Sequence, residues 1–546
     1  MTIHASQLVG KALKRQGVDT MFFLMGGPMF TAESSCVAEG IRAIDVRHEQ
    51  AAAMMAHAYA RLINRPGACM AASGPAALNF GTGLATSLMD CTPVVALGGS
   101  STLREWGTGA FQEFDQVAAM RPLTKWAERV YEARRIPELI NKAFTIAASG
   151  KPGPVYLDLP ADILHHQVEE SVIVWPEYDR GTQLGGAIGD PAMVERAIAL
   201  LAQAKRPILL TGSGAIWSQA APALRAFVDT TGIPFYTTPQ GRGVIPEDHE
   251  CCYLTARNLA FKEADVVLIV GTRINYIISH TRAPRFNEQA KFIRIDIDPA
   301  EVASTPRLDV GLVGDAGRVI GQVNAANDGR IRPGLFDAWR RKLAEAHEQR
   351  RQAQEVSLST DQVPIHPLRL CKEIRDFIDR DAILVVDGQE ILNYGRQSIP
   401  SYLPGHRLNS GTFGTMGVGL PYAIGAQAAR PDRQVICLHG DGSFGINAME
   451  LDTAVRHRFP VITVISLNGG WMSDPKRAWV GRDLGFSRYD KMAEAFGCYA
   501  EYVEQPKDIR PALERAGAAA RKGVPAVINV KTDPNAKATT GRFVTY

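Results

Sequence analysis

The stretch from Gln434 to Gly470, QVICLHGDGSFGINAMELDTAVRHRFPVITVISLNGG, constrains this chain most. A short apolar run, Val435 to Leu438, reads as a buried strand. It ends in Gly440-Asp441-Gly442, read as a turn whose glycines permit positive φ and close backbone approach to a ligand. A helical pattern follows from Asn447 to Arg458. Pro460 then opens a second apolar run, Val461 to Leu467, which closes in Asn468-Gly469-Gly470. Two parallel strands joined through a helix put both strand ends on one edge of a sheet, so Asp441 and Asn468 are expected to converge. A carboxylate, a neutral amide oxygen and a glycine carbonyl such as that of Gly470 form a hard oxygen set. Mg²⁺ completed by phosphate oxygens is held by donors of this kind, and a helix start favours a diphosphate. Gly440, Asp441, Gly442 and Ser443 would line it. A bare GDG arises often by chance in an ordinary strand-turn-helix. GDG aligned with Asn-x-Gly at the next strand end is far more specific.

The rest of the chain reads as α/β throughout, in three doubly wound parallel-sheet domains over 1–180, 190–330 and 362–546. In the first, a helix over Ala5 to Gln16 precedes a strand Met21 to Leu24 that ends at Gly26-Gly27-Pro28. His48-Glu49 opens a helix over Gln50 to Leu62, and strand Ala68 to Ala72 breaks into Ser73-Gly74-Pro75 before one helix over Leu78 to Met89. The second carries glycine turns at Thr211-Gly212-Ser213-Gly214 and Gly271-Thr272-Arg273. The charged segment Arg332 to Asp361 is expected to be an exposed helix and linker. The third opens with strand Ala382 to Val386, which leads into Asp387-Gly388-Gln389-Glu390.

Composition narrows the function by exclusion. A length of 546 residues suits about three domains. A net charge of +3 gives no footing for nucleic acid or a membrane surface. No apolar stretch reaches transmembrane length, and the N-terminus lacks an apolar signal core. The eight cysteines show no CxxC metal spacing and fall mostly in apolar runs, as buried thiols of a reducing compartment do. The expectation is a cytoplasmic enzyme.

GDG with a downstream Asn resembles the thiamine diphosphate (ThDP) enzymes, where these residues hold Mg²⁺ and the cofactor diphosphate. Leu467 stands where a second Asn is usual in them, but Asn468 is the residue that the metal needs. The resemblance assigns further roles. Glu49, by itself a common helix-start acid, becomes the glutamate that shares a proton with the aminopyrimidine ring, work suited to a carboxylate in an apolar site. Met416, in Phe413-Gly414-Thr415-Met416-Gly417, becomes the wedge that props the cofactor, with Gly414 offering a carbonyl to its ring. Gly388 and Gln389 fall at the diphosphate edge.

Over nearly the whole chain the pieces Ser73-Gly74-Pro75, Gly98-Gly99-Ser100-Ser101, Pro239-Gln240-Gly241-Arg242-Gly243, Gly271-Thr272-Arg273-Ile274-Asn275-Tyr276 and Gly411 to Gly419 resemble the 2-hydroxyacyl-CoA lyases. Oxalyl-CoA decarboxylases, also similar, carry Tyr-Glu-Glu where this chain has Phe111-Gln112-Glu113, which counts against an oxalyl substrate. The resemblance implies cleavage of the C1–C2 bond of a 2-hydroxyacyl-CoA to formyl-CoA and an aldehyde or ketone. Decarboxylation of oxalyl-CoA or a 2-oxo acid, carboligation of the acetolactate synthase kind, and a catalytically silent ThDP-fold protein are the alternatives. Gln112 and His48 are candidate polar contacts to the substrate, although His48 could equally be a packed core histidine. Arg396, Lys537 and Arg542 are candidate CoA-phosphate contacts, the last two on a C-terminal tail that closes as a lid. Removing residues 532–546 is expected to spare folding. Gly212, Ser213, Arg273 and Asp296 match positions that bind ADP in the decarboxylases. A homodimer or homotetramer with active sites at the subunit interface is implied.

Overall fold

The structure, a computed structural model, describes residues 2–176, 186–473, 476 and 478–538. Three parallel sheets carry the chain. The first contains β1 (Thr20–Leu24), β2 (Arg42–Asp45), β3 (Gly67–Ala71), β4 (Val94–Ser100), β5 (Trp126–Arg129) and β6 (Val155–Pro160), in the order β2-β1-β3-β4-β6-β5. The central sheet contains β7 (Pro207–Thr211), β8 (Phe235–Thr237), β9 (Val266–Val270), β10 (Lys291–Asp296) and β11 (Leu308–Val313), in the order β8-β7-β9-β10-β11. The third contains β12 (Ile383–Asp387), β13 (Arg407–Asn409), β14 (Val435–Gly440), β15 (Ile462–Leu467), β16 (Tyr499–Val503) and β17 (Ala526–Lys531), in the order β13-β12-β14-β15-β17-β16. The first and third sheets therefore share one topology. Inner strands such as β4, β12 and β15 are buried on both faces, which is why they read as continuous apolar runs. The expected α/β class with three doubly wound sheets is what the chain adopts.

Several local expectations are corrected. Gly440-Asp441-Gly442 is no turn. β14 continues through Gly440 at φ −78°, and a helix, Asp441–Ile446, starts at the aspartate itself. Gly442 is needed for closeness rather than for positive φ, since a Cβ there would meet the Trp471 ring at 2.6 Å. The helix expected over Asn447 to Arg458 starts later, at Glu450–Arg456, because Asn447 leaves the helical path and donates from Nδ2 to Gly417 O at 2.7 Å. The helix expected over Leu78 to Met89 is two pieces, Pro75–Asn79 and Gly81–Met89. The charged helix Asp337–Leu358 is not merely exposed. It buries Trp339 and Leu343 in the central domain's core, and Trp339 Nε1 donates to Pro207 O at 3.2 Å.

Two helices bind the outer domains together, α1 (Glu49–Ile63) and α2 (Gly419–Ala429). Both lie in one hydrophobic cluster that also takes in residues of the first and third sheets. Alanine and glycine on these helices let the backbones approach. A Cβ on Gly425 would sit 2.3 Å from Met55 O, and His57 stacks on Tyr422 at 4.8 Å between ring centres. Asp90 ties all three domains. Its buried carboxylate accepts from Gln240 Nε2 at 3.0 Å and from the Thr412 backbone N–H at 3.1 Å. Arg242 and Glu247 form a buried pair that also reaches the third domain, with Arg242 Nη2 on Ile399 O at 2.9 Å and the Ser401 N–H on Glu247 at 2.9 Å. Gly425→Val overpacks the α1–α2 crossing and should cost about 1–3 kcal/mol. A chemical-denaturation midpoint equal to that of the parent chain would remove this crossing as a determinant of stability.

Candidate active site

Strand order reverses beside the first strand of the third sheet, between β12 and β14, and a crevice opens at such a reversal outside the carboxyl ends. Gly388 at φ +118° ends β12, with a would-be Cβ 3.1 Å from Gly440 N. Asp441 follows β14 and Asn468 follows β15. Asp441 is 2% exposed. Its Oδ1 accepts from the Gly442 N–H at 2.9 Å, and its Oδ2 accepts from the Gly469 and Gly470 N–H groups at 2.8 and 3.0 Å. Asn468 Oδ1 accepts from the Gly470 N–H at 3.3 Å. The two side chains thus meet on one loop, as the strand arithmetic requires. Burial pushes Asp441 up to about 6, against the downward pull of three backbone N–H groups and Arg482. A bound divalent cation relieves such a carboxylate, and the donors present are the hard oxygens that Mg²⁺ takes. The residues fit the metal.

The neighbours take separate tasks. Ser443 donates to Gly440 O at 3.0 Å and so stiffens the crevice floor. Gln389 is exposed at the start of the helix Glu390–Ser398. Asp387 turns inward, accepting from the Gly419 N–H at 2.9 Å at the start of α2, and burial lifts it to about 7. It therefore anchors α2 and does not face the crevice.

Glu49 is buried at the first position of α1, and Oε2 accepts from Asn79 Nδ2 at 2.9 Å. Asn79 is a partner that the sequence reading missed, although it lies five residues beyond the Ser73-Gly74 break. His48 is no core histidine. It is an exposed N-cap whose Nδ1 accepts from the Gln50 N–H at 3.0 Å. Gln112 holds a left-handed φ of +57° and accepts from Ser73 Oγ, at the crevice of the first sheet. Gly414 and Met416 lie on an exposed loop, and a Cβ on Gly414 would meet open space. Among the described residues no hydrogen bond joins Glu49 to the Asp441 loop. Each half of the site belongs to its own domain and presents an exposed apolar rim, Met25, Phe30 and Phe111 on one side and Phe413, Met416 and Met449 on the other.

Arg396 is one of several arginines, and its companions were missed. Burial pushes Arg257 down to about 9, aided by Arg285, Arg396 and Arg242. Arg396 sits at about 10 through burial and Arg242. Among the described residues no carboxylate pairs with Arg257, Arg285 or Arg396, and each leaves a buried Nε unpartnered. No local pattern marks Arg257 or Arg285; only the fold gathers them. Tyr276, close enough to Arg396 for its charge to act, donates to Thr412 O at 2.9 Å, so the cluster borders the Gly411–Gly417 loop.

The tail is docked as far as it is described. Glu390 accepts from the Ala538 N–H at 3.1 Å, beside exposed Lys537, and Ser473 donates to Asn535 O at 3.3 Å. Arg542 lies outside the described residues. The cut at 532 is corrected, because Thr532 is fully buried and donates its N–H to Leu467 O at 2.9 Å. A clean truncation starts at 539.

In the central domain a cavity of about 460 Å³ opens at the reversal between β7 and β9 and reaches the first domain. Ser213, Arg273 and Asp296 line it, with Lys151 and Glu301, whereas Gly212 packs beneath, its would-be Cβ 2.3 Å from Thr272. Arg273 donates to Met89 O at 2.9 Å.

Three crevices of this kind, with hard oxygens at one and a glutamate at the start of a facing helix, define a diphosphate-cofactor enzyme. Family models agree: the thiamine pyrophosphate enzyme N-terminal TPP binding domain matches residues 3–119, the central domain 194–323 and the C-terminal TPP binding domain 392–530. The chain belongs to the thiamine pyrophosphate enzyme family. It is 35% identical to the 2-hydroxyacyl-CoA lyase of Arabidopsis thaliana, over 99% of this chain and 98% of that protein. It is 36% identical to an acetolactate synthase large subunit of Mycobacterium tuberculosis, over 98% and 96%. With the oxalyl-CoA decarboxylase of Escherichia coli it shares 33%, over 98% and 96%.

Asp441→Asn keeps the shape of the loop but removes the charge. Mg²⁺-dependent binding of thiamine diphosphate, followed by titration calorimetry, should weaken at least about tenfold, or ~1.4 kcal/mol. Equal affinity would take Asp441 out of the metal set.

Proposed function

We propose that this chain is a thiamine diphosphate- and Mg²⁺-dependent lyase that cleaves the C1–C2 bond of 2-hydroxyacyl-CoA, giving formyl-CoA and an aldehyde or ketone. The observation that carries the acyl-CoA half is the cluster of Arg257, Arg285 and Arg396. Guanidinium groups gathered without a carboxylate partner and partly desolvated by burial are stabilised by an anion, and guanidinium forks match phosphate oxygens. Similarity to 2-hydroxyacyl-CoA lyases over almost the full chain supports the same reading.

When bound, thiamine diphosphate supplies an electron sink for the C1–C2 bond that breaks. Asp441 Oδ, Asn468 Oδ1 and the Gly470 carbonyl would hold Mg²⁺, while Gly388, Gln389, Gly440, Gly442 and Ser443 wall the diphosphate. Glu49, fixed by Asn79, holds and returns a proton at the aminopyrimidine ring. Gly414 and Met416 face that ring. Gln112, held by Ser73, is placed to orient the substrate hydroxyl or thioester oxygen, with His48 nearer the solvent. Lys537 and Arg542 close the tail over the CoA phosphates and exclude water from the reacting carbons.

Glu49 and the Asp441 loop are separate half-sites, so we take the working unit to be a homodimer or homotetramer in which the apolar rims of two chains meet. The central cavity, with Asp296 for a ribose hydroxyl, suits ADP. A cytoplasmic location is part of the same proposal.

Purified protein given thiamine diphosphate, Mg²⁺ and a panel of 2-hydroxyacyl-CoAs, oxalyl-CoA and pyruvate should release formyl-CoA and a carbonyl compound, read by mass spectrometry. CO₂ from oxalyl-CoA or pyruvate without hydroxyacyl cleavage would overturn the lyase reading. Arg257→Gln should raise the KM for the acyl-CoA about tenfold to a hundredfold, the worth of a hydrogen bond to a charged group, with cofactor binding intact. Truncation before residue 539 should leave folding and cofactor binding unchanged and abolish turnover; full activity would remove the lid.

A further inference from the structure

The loop that carries Asn468 and Gly470 is gripped from two sides. On one side its amides point at a carboxylate, since the Gly469 and Gly470 N–H groups both donate to Asp441 Oδ2. On the other its carbonyls point at a guanidinium. Arg482 Nε donates to Met472 O at 2.8 Å, and Nη1 donates to Gly469 O at 3.3 Å. Backbone contacts zip the same strip, with Trp471 N–H on Arg482 O and Leu484 N–H on Gly469 O, both at 2.9 Å.

The grip is close. A Cβ on Gly470 would lie 2.3 Å from Arg482 O and 2.7 Å from Nη1. Arg482 is 6% exposed, Nη1 lies 3.0 Å from Asp483 Oδ1, and its buried Nη2 has no hydrogen-bond partner among the described residues. The loop it holds is intrinsically mobile in its peptide planes. Gly469 and Met472 adopt φ of +76° and +65°, and two adjacent glycines leave the intervening peptide free to rotate. If that peptide turns over, Asp441 loses the Gly470 N–H and the Gly469 carbonyl turns away from Arg482.

We propose that Arg482 is a positioning residue for the cation and diphosphate site. It fixes the peptide planes of 469–472 so that Asp441, Asn468 and Gly470 present their oxygens to one point. The inference rests on the Mg²⁺ and thiamine diphosphate reading. It is specific to the planar fork, because one ammonium cannot span the carbonyls of residues 469 and 472 as Nε and Nη1 do.

The test is a Mg²⁺ titration of the full-length protein at saturating thiamine diphosphate, read by tryptophan fluorescence (Trp471 lies in the loop) and by calorimetry. Arg482→Gln should raise the half-saturating Mg²⁺ concentration at least about tenfold, the usual cost of losing an outer-sphere support, while the unfolding midpoint of the cofactor-free protein moves little. Arg482→Lys should recover only part of the affinity. Unchanged Mg²⁺ affinity in folded Arg482→Gln overturns the proposal, and so does full recovery in Arg482→Lys, which would show that charge alone suffices. If Arg482→Gln does not fold, the lysine variant decides: wild-type affinity refutes the clamp and weakened affinity supports it. A parent protein that binds neither Mg²⁺ nor thiamine diphosphate sinks the cofactor reading itself, a result separable from failure of the Arg482 assignment.

Discussion

Reversal of strand order is the constraint on which everything else here depends. In each sheet the second strand lies on one side of the first and the third strand on the other, so the loops after the first and third strands diverge and leave a crevice. The Asp441 loop, the Ser73–Gln112 corner and the central cavity each occupy such a crevice. Backbone hydrogen bonding and right-handed crossovers dictate this arrangement before any side chain is chosen. Side chains then differentiate the crevices, with oxygen donors at Asp441 and Asn468, buried Glu49 by the Ser73–Gln112 corner, and a wider cavity in the central domain.

Among the described residues, buried charges lack an ion-pair partner at several places, two of them at the candidate site. Asp441 is buried with no cation bonded to it, and burial lifts it to about 6. The cluster of Arg257, Arg285 and Arg396 is the converse, depressed by burial and mutual repulsion. Other buried charges are matched, as in Arg242–Glu247 and Arg129–Asp158, while Glu33 is buried with neither carboxylate oxygen hydrogen-bonded among the described residues and is lifted to about 8. Desolvating an unmatched ion costs several kcal/mol.

Much of the site was legible because its chemistry is local. Gly440-Asp441-Gly442 and Asn468-Gly469-Gly470 carry the candidate oxygen donors within two short motifs, and parallel pairing of neighbouring strands brings them together without further information. Glu49 was legible as a helix start after a strand. Arg257 and Arg285 were not, because they come from segments without distinctive spacing, meet over the Phe261 ring only in the folded central domain, and gain Arg396 only where the third domain docks. Asn79 and Arg482 escaped because no local pattern marks them: Asn79 meets Glu49 thirty positions away, and Arg482 folds back on carbonyls 10 and 13 positions before it. The glycines of Gly440-Asp441-Gly442 misled, since glycine signals freedom and closeness alike, and here closeness to Trp471 governs.

The sequence by itself determined the fold class, the three sheets and the family of chemistry, because apolar periodicity and glycine-bounded strand ends are properties of short windows. Tertiary structure alone decided that α1 and α2 weld the outer domains and that Thr532 is part of the fold. Those outcomes depend on which faces pack together, and packing is fixed by contacts between residues hundreds of positions apart.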